Sequence, residues 1–369
     1  MKPPAIIDAD GHVNAVPVMG RYCELLEEPH RSRVRPAPDN PLKMLIDGQV
    51  WPREQRQTAP NTLLVRGEAP LAGWHEQDIC SGMWDPHKRV RDMDVDGIEV
   101  AALFPGRIGM GSPGHPDVAL GIAMTRAYNT WVAEYCNPYP KRLKGVAVVP
   151  VQDIEASVAE VRRCVEELGF VGASVQNWVP AAGRNLDDPF FDPLWAEAQR
   201  LDIPICIHHN LVNYSVLEER FTTYLQKKPI HDCTENMLAV QSLIYGGVMD
   251  RFPELRFAFM EGGIGWVPFW MDRIGEYHEE FLTGSLARGT PADYFRSEQC
   301  FFSCEAEEQT IGYVAQVIGA DRILYASDYL HHDATFPGST RPIEEREDLS
   351  DNDKAKILGG NASTLYRLG

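Results

Sequence analysis

The chain has 369 residues, and its 35 Lys and Arg against 53 Asp and Glu give a net charge of −18 at pH 7. Hydrophobic residues make up 44% and charged residues 24%, which is typical of a globular protein and excludes a disordered chain. Nucleic acids and anionic membranes both require clustered basic side chains, so we expect neither as a partner.

The cysteines and the chain start indicate the compartment. The eight cysteines form no C-x-x-C pair, which excludes a zinc ribbon. The start MKPPAIIDADGH lacks the apolar core of a signal peptide, and no apolar run reaches the roughly 20 residues of a membrane span. We therefore expect a cytoplasmic protein with reduced thiols.

Short apolar runs recur along the chain, and most are followed by a segment with helical spacing. Several are apolar throughout, as expected for parallel strands with both faces buried. The predicted strands cover residues 5–7, 98–104, 144–149, 171–175, 203–207, 256–260, 299–302 and 322–326. Eight such units predict an α/β fold, a (β/α)8 TIM barrel, with a Rossmann-like open sheet of six or seven strands as the alternative.

One interval is too long for a single connecting helix. Residues 13–97 separate the first two predicted strands and are rich in Pro, Arg and Trp. Long insertions of this kind are usually functional. We expect a single barrel domain over residues 1–369, with residues 13–97 as an active-site cap or a dimer-contact insertion.

Helix signals occupy several of the other intervals. Asp153 is expected to cap a helix that ends at Gly169. Asp192, just before Pro193, is expected to cap the next helix, and an apolar stripe after the seventh strand ends at Gly319.

Two further segments resemble ligand-binding loops. Residues 109–114, GMGSPG, match G-x-G-x-x-G, but Pro113 interrupts the expected helix start, so we interpret them as a flexible loop. Residues 92–97, DMDVDG, begin like a calcium loop but lack the glutamate at position twelve. They are expected to end a helix and turn into the second strand.

Metal-ligating residue types stand where the predicted strands end. Asp10 and His12 follow the first strand and share a face, because residues two apart in a strand do so. His208 ends the fifth strand and Asp328 the eighth, and the carboxyl ends of barrel strands form the active-site face. The four predict a site for Zn²⁺ or Mn²⁺, although hydrogen-bonding histidines and helix-capping aspartates would be the alternative.

Other polar and aromatic residues stand near the same rim. Glu261 ends the sixth strand, and His331 follows the eighth within reach of the rim. We expect both to act with Asp328 in catalysis. Tyr329, His332 and Trp178 are candidates for contact with the substrate, and core packing is the alternative for the aromatic residues.

These features resemble the amidohydrolase-related metal-dependent barrels, which include aminocarboxymuconate-semialdehyde decarboxylase and the hydroxybenzoate decarboxylases. The resemblance extends over the first dozen residues and roughly 84–369. Besides the strand ends it rests on DMDVDGIEVAALFP (92–105), AYNTWVAEYC (127–136), DPFFDPLWAEAQRLDIPICIH (188–208), RFPELRFAFMEGG (251–263), LYASDYLHHD (324–333) and ILGGNASTLY (357–366).

The resemblance implies roles for the same residues. Asp10 and His12 match the first-strand ligand pair, His208 the fifth-strand ligand, and Asp328 the aspartate that binds metal and moves protons. Glu261 departs from the pattern, because many members have a histidine near this point. The fourth strand, VGASVQNW, ends without a lysine, so the resemblance implies one divalent metal ion rather than a carbamate-bridged pair.

The expected function is therefore non-oxidative decarboxylation of a small cyclic or aromatic carboxylate by a metal-dependent enzyme. Hydrolysis of a cyclic amide, lactone or C–C bond by metal-activated water is the first alternative, and a non-catalytic binding barrel is the second. Related barrels often dimerise, so we also expect a homodimer.

Overall fold

The structure is a computed structural model of the full chain. It describes residues 5–15, 18–38, 44–51, 81–177, 183–208, 220–221, 224–329, 331 and 334–368.

Eight parallel strands form the predicted barrel, and three other strands form a separate sheet. In chain order the strands are β1 (Ile6–Val13), β2 (Val34–Pro36), β3 (Met44–Ile46), β4 (Gln49–Trp51), β5 (Ile98–Pro105), β6 (Leu143–Val148), β7 (Gly172–Val175), β8 (Ile205–Ile207), β9 (Phe257–Phe259), β10 (Cys300–Cys304) and β11 (Ile323–Tyr325). β1 and β5 to β11 pair in that order, and each pair is parallel. The open-sheet alternative is wrong, because the first and last strands also meet.

Main-chain hydrogen bonds bridge this seam between β1 and the end of β11. The amide of Asp328 donates to the carbonyl of Asp10 at 3.0 Å, and the amide of His12 donates to the carbonyl of Tyr329 at 2.8 Å. The barrel is therefore nearly closed, and the seam joins two strand ends that carry predicted metal ligands.

Helices surround the strands. They span Met19–Glu24, Pro86–Asp96, Arg107–Gly111, Val118–Cys136, Ile154–Glu166, Asp192–Arg200, Tyr224–Tyr245, Val248–Arg251, Trp266–Glu280, Pro291–Phe295, Ile311–Ile318, Arg341–Glu344, Asp351–Ala355 and Asn361–Leu365, with a π-helical turn at Lys356–Gly360. None in the described part of the chain has the length and apolar character needed to cross a membrane.

The structure confirms the predicted helix caps and turns, with two exceptions. Asp153 caps its helix through the amide of Ala156, and Gly97 ends the acidic helix at φ 72° before β5, as predicted. Asp192 lies inside the first helical turn rather than at the cap, because Asp188 caps a preceding 3₁₀ turn. The GMGSPG segment is not an irregular loop, because a short helix runs into a 3₁₀ turn there.

The interval between β1 and β5 contains its own small elements. β2, β3 and β4 form an antiparallel sheet. Arg21 pairs with Glu134 and Arg33 with Asp117, which attaches this part to the helix Val118–Cys136 and its N-cap. The helix Pro86–Asp96 leads back to the barrel.

Apolar side chains fill the barrel interior, because alternate strand residues point inward. The inward cluster comprises Ile7, Ala9, Ala102, Phe104, Val146, Cys206, Ala258, Met260, Phe301 and Leu324, and the last helix adds Ala362, Leu365 and Tyr366. This packing fixes the strand ends around which the polar site is built.

Candidate metal centre

The four predicted metal ligands come together at one end of the barrel. Asp10 and His12 lie on β1, His208 directly follows β8, and Asp328 lies three residues after β11. All four are buried, with 0–7% of their surface exposed. Residues far apart in the sequence meet because the barrel brings the ends of β1, β8 and β11 to one rim.

The distances between their polar atoms suit a shared cation. The Nε2 atom of His12 lies 3.6 Å from Asp10 Oδ1 and 3.1 Å from Asp328 Oδ1. The Nε2 atom of His208 lies 3.5 Å from Asp10 Oδ2. One ligand atom from each of Asp10, His12 and His208 falls within 4.8 Å of the others.

The His12 ring is oriented by its other nitrogen. Nδ1 lies 3.2 Å from the carbonyl oxygen of Pro105, which can only accept, so Nδ1 carries the proton. The lone pair of Nε2 therefore faces the centre, as is usual for metal-ligating histidines. Among the described residues, the buried atoms His12 Nε2 and Asp10 Oδ1 have no hydrogen-bond partner. These donors fit a divalent metal ion.

The electrostatics also favour a cation. Burial raises the pKa of Asp10 well above its usual range, and the nearby carboxylates of Asp328, Glu261 and Asp8 raise it further. Like charges at such distances disfavour ionisation of the carboxyl groups unless a positive charge lies among them. A divalent cation at this position would supply that charge.

Asp328 and His331 form a close pair at the rim. His331 Nδ1 lies 2.6 Å from Asp328 Oδ1, and the His331 ring stacks on His12 with centroids 4.0 Å apart. Burial is the largest influence on Asp328 and opposes its ionisation, but the positive His331 ring and the hydrogen bonds to the carboxylate together lower the pKa of Asp328. Although burial disfavours the charged ring, Asp328 in turn raises the pKa of His331 well above its ordinary value.

Glu261 faces two of the site histidines. Its Oε2 lies 3.4 Å from His208 Nε2, and its Oε1 lies 3.4 Å from His331 Nδ1. The Ser303 hydroxyl accepts a hydrogen bond from the Glu261 amide at 2.9 Å. Both Glu261 and Asp328 have left-handed backbones, at φ 51° and 48°, which non-glycine residues rarely adopt. Such strain is common at functional sites.

Sequence reasoning missed Lys228, on the helix Tyr224–Tyr245. Its Nζ lies 3.1 Å from Glu261 Oε1 and 2.9 Å from Asp232 Oδ2. The i,i+4 spacing of Lys228 and Asp232 was a local signal, but nothing in the sequence linked Lys228 to Glu261. The site therefore contains a lysine as well as histidines and carboxylates.

The predicted substrate contacts have varied placements. Tyr329 is buried, and its hydroxyl donates to Asp92. Trp178 and His332 lie outside the described residues. A narrow cleft adjoins His208 and is lined by Pro105, Met110, Pro113, Val148, Val149, Val151, Ser174 and Gln176. Its walls are mostly apolar, with the polar groups of Ser174 and Gln176 at the end of β7.

Comparison with known proteins identifies the family. A sequence model described as amidohydrolase matches residues 7–368. The 2-amino-3-carboxymuconate-6-semialdehyde decarboxylase of Dictyostelium discoideum is 30% identical over 293 residues, which is 78% of this chain and 77% of that protein.

Solved structures agree with this match. A 2,6-dihydroxybenzoate decarboxylase in complex with 2,6-dihydroxybenzoate superposes with a TM-score of 0.64 and 27% identity, over 76% of this chain and 87% of that one. A dihydroxybenzoic acid decarboxylase from Polaromonas, solved with bound manganese, shares the fold with a TM-score of 0.68 and 22% identity. The match covers 100% of this chain and 98% of that one. The chain therefore belongs to the amidohydrolase family of metal-dependent enzymes, as the sequence predicts.

Proposed function

We propose that the protein is a non-oxidative decarboxylase of a small aromatic or cyclic carboxylate. The observation that carries the proposal is the clustering of buried ligand atoms about His12, which groups with Asp10 and His208 on one side and with Asp328 and His331 on the other. Similarity to enzymes named as decarboxylases of dihydroxybenzoate and of aminocarboxymuconate semialdehyde supports this reaction over others.

The four side chains are proposed to hold one divalent cation, Zn²⁺ or Mn²⁺. Two imidazoles and two carboxylates suit either ion. The manganese bound by the Polaromonas enzyme favours Mn²⁺. When bound, the ion supplies positive charge that orients an anionic substrate and stabilises charge developing on it.

His331 and Asp328 are proposed to hold the proton that is transferred to the substrate. His331 and Asp328, 2.6 Å apart, are placed to hold a proton at the rim. The proton held by the His331–Asp328 pair passes through Asp328 to the substrate carbon that bears the carboxylate. The C–C bond to the carboxylate then breaks, CO₂ leaves, and the electron pair of that bond restores the π bond whose electrons took up the proton. No oxidant is needed.

Glu261 and Lys228 complete the proposed machinery. Glu261 is positioned to orient His208 and to serve as a second acid/base group beside His331. Lys228 places a positive charge 3.1 Å from Glu261 Oε1. Contacts of Tyr329, His332 and Trp178 with the substrate stay predictions.

Hydrolysis is the second candidate, favoured by one observation. The pKa of Asp328 is lowered, so the carboxylate is ready to accept a proton from water rather than to donate one. In that case Asp328 would act as a general base.

The wider organisation is also proposed. We infer a single domain over residues 1–369, with residues 13–97 as a cap attached at both of its ends. The described cysteines are free, which supports a cytoplasmic location. Phe269, Tyr277 and Phe281 expose 46–61% of their surface along the helix Trp266–Glu280, which supports a homodimer.

Loss of a ligand should release the metal ion. In His12→Ala and His208→Ala we expect bound Mn²⁺ or Zn²⁺ to fall by about tenfold or more at limiting ion concentration, measured by elemental analysis. His87→Ala, at an exposed histidine, is the control and should keep the wild-type content. Full occupancy in both site variants would dismiss these assignments.

Labelled solvent separates the two reactions. Turnover of a panel of hydroxybenzoates, keto acids, cyclic amides and lactones would be run in D₂O and in ¹⁸O-water, with mass spectrometry of the product. Decarboxylation places one deuterium on the carbon that lost CO₂ and no ¹⁸O in the organic product. One ¹⁸O per turnover would establish hydrolysis instead.

The proton-transfer role of Asp328 can be tested by an isosteric change. Asp328→Asn cannot carry the proton, so we expect kcat to fall by about 10²–10⁴-fold. Circular dichroism and a cooperative thermal transition would check that the fold is kept. Turnover close to that of the wild type would rule out the role.

The exposed aromatic side chains predict where two copies meet. In a Phe269→Glu/Phe281→Glu variant we expect a monomer by light scattering, because charge replaces apolar contact area. Tyr313→Glu changes an equally exposed aromatic on another helix and should leave the dimer intact. A monomeric wild type would refute the dimer.

A further inference from the structure

A buried cation lies beside the barrel seam. Arg89, on the helix Pro86–Asp96, is 1% exposed. Burying a guanidinium is strongly unfavourable unless charges and hydrogen bonds offset the loss of water. In the described part of the chain, its Nε and Nη2 atoms have no hydrogen-bond partner. The contacts that Arg89 does make therefore indicate what it does.

These contacts lie on both sides of the seam. Arg89 Nη1 donates to the main-chain carbonyl of His12 at 3.1 Å, on β1. The guanidinium carbon lies 3.9 Å from the ring centroid of Tyr329, which follows β11. One side chain thus joins the strand that carries Asp10 and His12 to the segment that carries Asp328.

Asp8 extends this link towards the ligands. Its Oδ2 lies 3.6 Å from Arg89 Nη2. The same carboxylate accepts hydrogen bonds from the Ser327 hydroxyl at 2.6 Å, from the Ser327 amide at 2.9 Å and from the Asp10 amide at 3.2 Å. The counter-charge of Arg89 therefore sits between the residue that precedes Asp328 and the main chain of Asp10.

The next helical turn holds the other side of the Tyr329 ring. Asp92, three residues after Arg89, accepts the hydrogen bond from the Tyr329 hydroxyl and pairs with Lys88 at 3.0 Å. The helix thus contacts Tyr329 twice, with the Arg89 guanidinium over the ring and the Asp92 carboxylate at the hydroxyl.

The backbone of β1 is shaped to admit the guanidinium. A Cβ atom at Gly11 would lie 2.1 Å from Arg89 Nη2 and 2.7 Å from Asp8 Oδ2, both far inside contact distance. Glycine between Asp10 and His12 therefore allows Arg89 to approach the strand between the two ligands.

We propose that Arg89 is a positioning residue for the metal centre. It fixes β1 and the Tyr329 segment relative to each other, so that Asp10, His12 and Asp328 stay at the separation that one ion requires. The proposal rests on the proposed function, since it concerns the same site. The proposal also assigns a role in the site to the helix Pro86–Asp96, the last helix of the insertion between β1 and β5.

The test is metal affinity in the metal-free full-length protein. Chelator-treated wild type, Arg89→Met and Arg89→Lys would be titrated with Mn²⁺ and, separately, Zn²⁺ against a chromophoric competitor. Methionine keeps the length of the side chain without charge, so we expect affinity about 100-fold weaker. Lysine keeps the charge but lacks the planar, forked guanidinium. We therefore expect metal affinity about tenfold weaker than that of the wild type, which is a partial rescue relative to Arg89→Met.

Two controls on the same helix separate positioning from stability. Val90→Ala opens a cavity at a buried neighbour and should lower the thermal midpoint while metal affinity stays within about twofold. Arg91→Met removes an exposed arginine and should change neither quantity.

Each outcome decides the proposal. Wild-type affinity in both Arg89 variants would overturn it while the proposed metal function stands. If Arg89→Met fails to fold, Arg89→Lys decides, and wild-type affinity there would overturn the proposal. A wild type that binds neither ion would overturn the proposed function and the positioning role together.

Discussion

The repulsion among buried carboxylates is the constraint on which the site depends. Asp8, Asp10 and Asp328 are almost fully buried at one end of the barrel, with Glu261 beside them. Burial and mutual repulsion raise the pKa of Asp10, and such a cluster is stable only where positive groups lie among the charges. The chain supplies Arg89 to Asp8, His331 to Asp328 and Lys228 to Glu261. In the described part of the chain no lysine or arginine pairs with Asp10, which faces the Nε2 atoms of His12 and His208.

This arrangement divides the polar residues into two layers. Asp10 faces the Nε2 atoms of His12 and His208, and His12 Nε2 also faces Asp328. Behind them, the Pro105 carbonyl and the Ser327 and Ser303 hydroxyls fix ring and backbone orientations. The outer layer matters because a metal centre tolerates only small errors in ligand position, and groups that orient ligands affect affinity strongly.

Much of this was predictable from the sequence, for an identifiable physical reason. Fully buried parallel strands appear as continuous apolar runs, and parallel strands end at the same rim, so Asp10, His208 and Asp328 could be placed together without coordinates. The local exceptions were segments where the turn chemistry was ambiguous. Asp188 and Asp192 both precede a proline, and only the packed structure selects the first as a cap.

The contributions of Arg89 and Lys228 could not be predicted, because they depend on side-chain contacts between distant segments. Arg89 lies in a helix with an ordinary mixture of charges, and nothing local distinguishes it from the exposed Arg91. Its burial follows from where the insertion returns to the barrel. Lys228 pairs locally with Asp232 but reaches Glu261 only because a helix and a strand end meet.

The hydrogen bond between Ser327 and Asp8 spans 319 residues of sequence. Contacts of such long range form late, because the intervening chain must first be ordered. During synthesis the first-strand ligands emerge long before the residues that complete the centre. A nascent chain therefore cannot bring Asp328 beside Asp10 and His12 until nearly the whole polypeptide has left the ribosome.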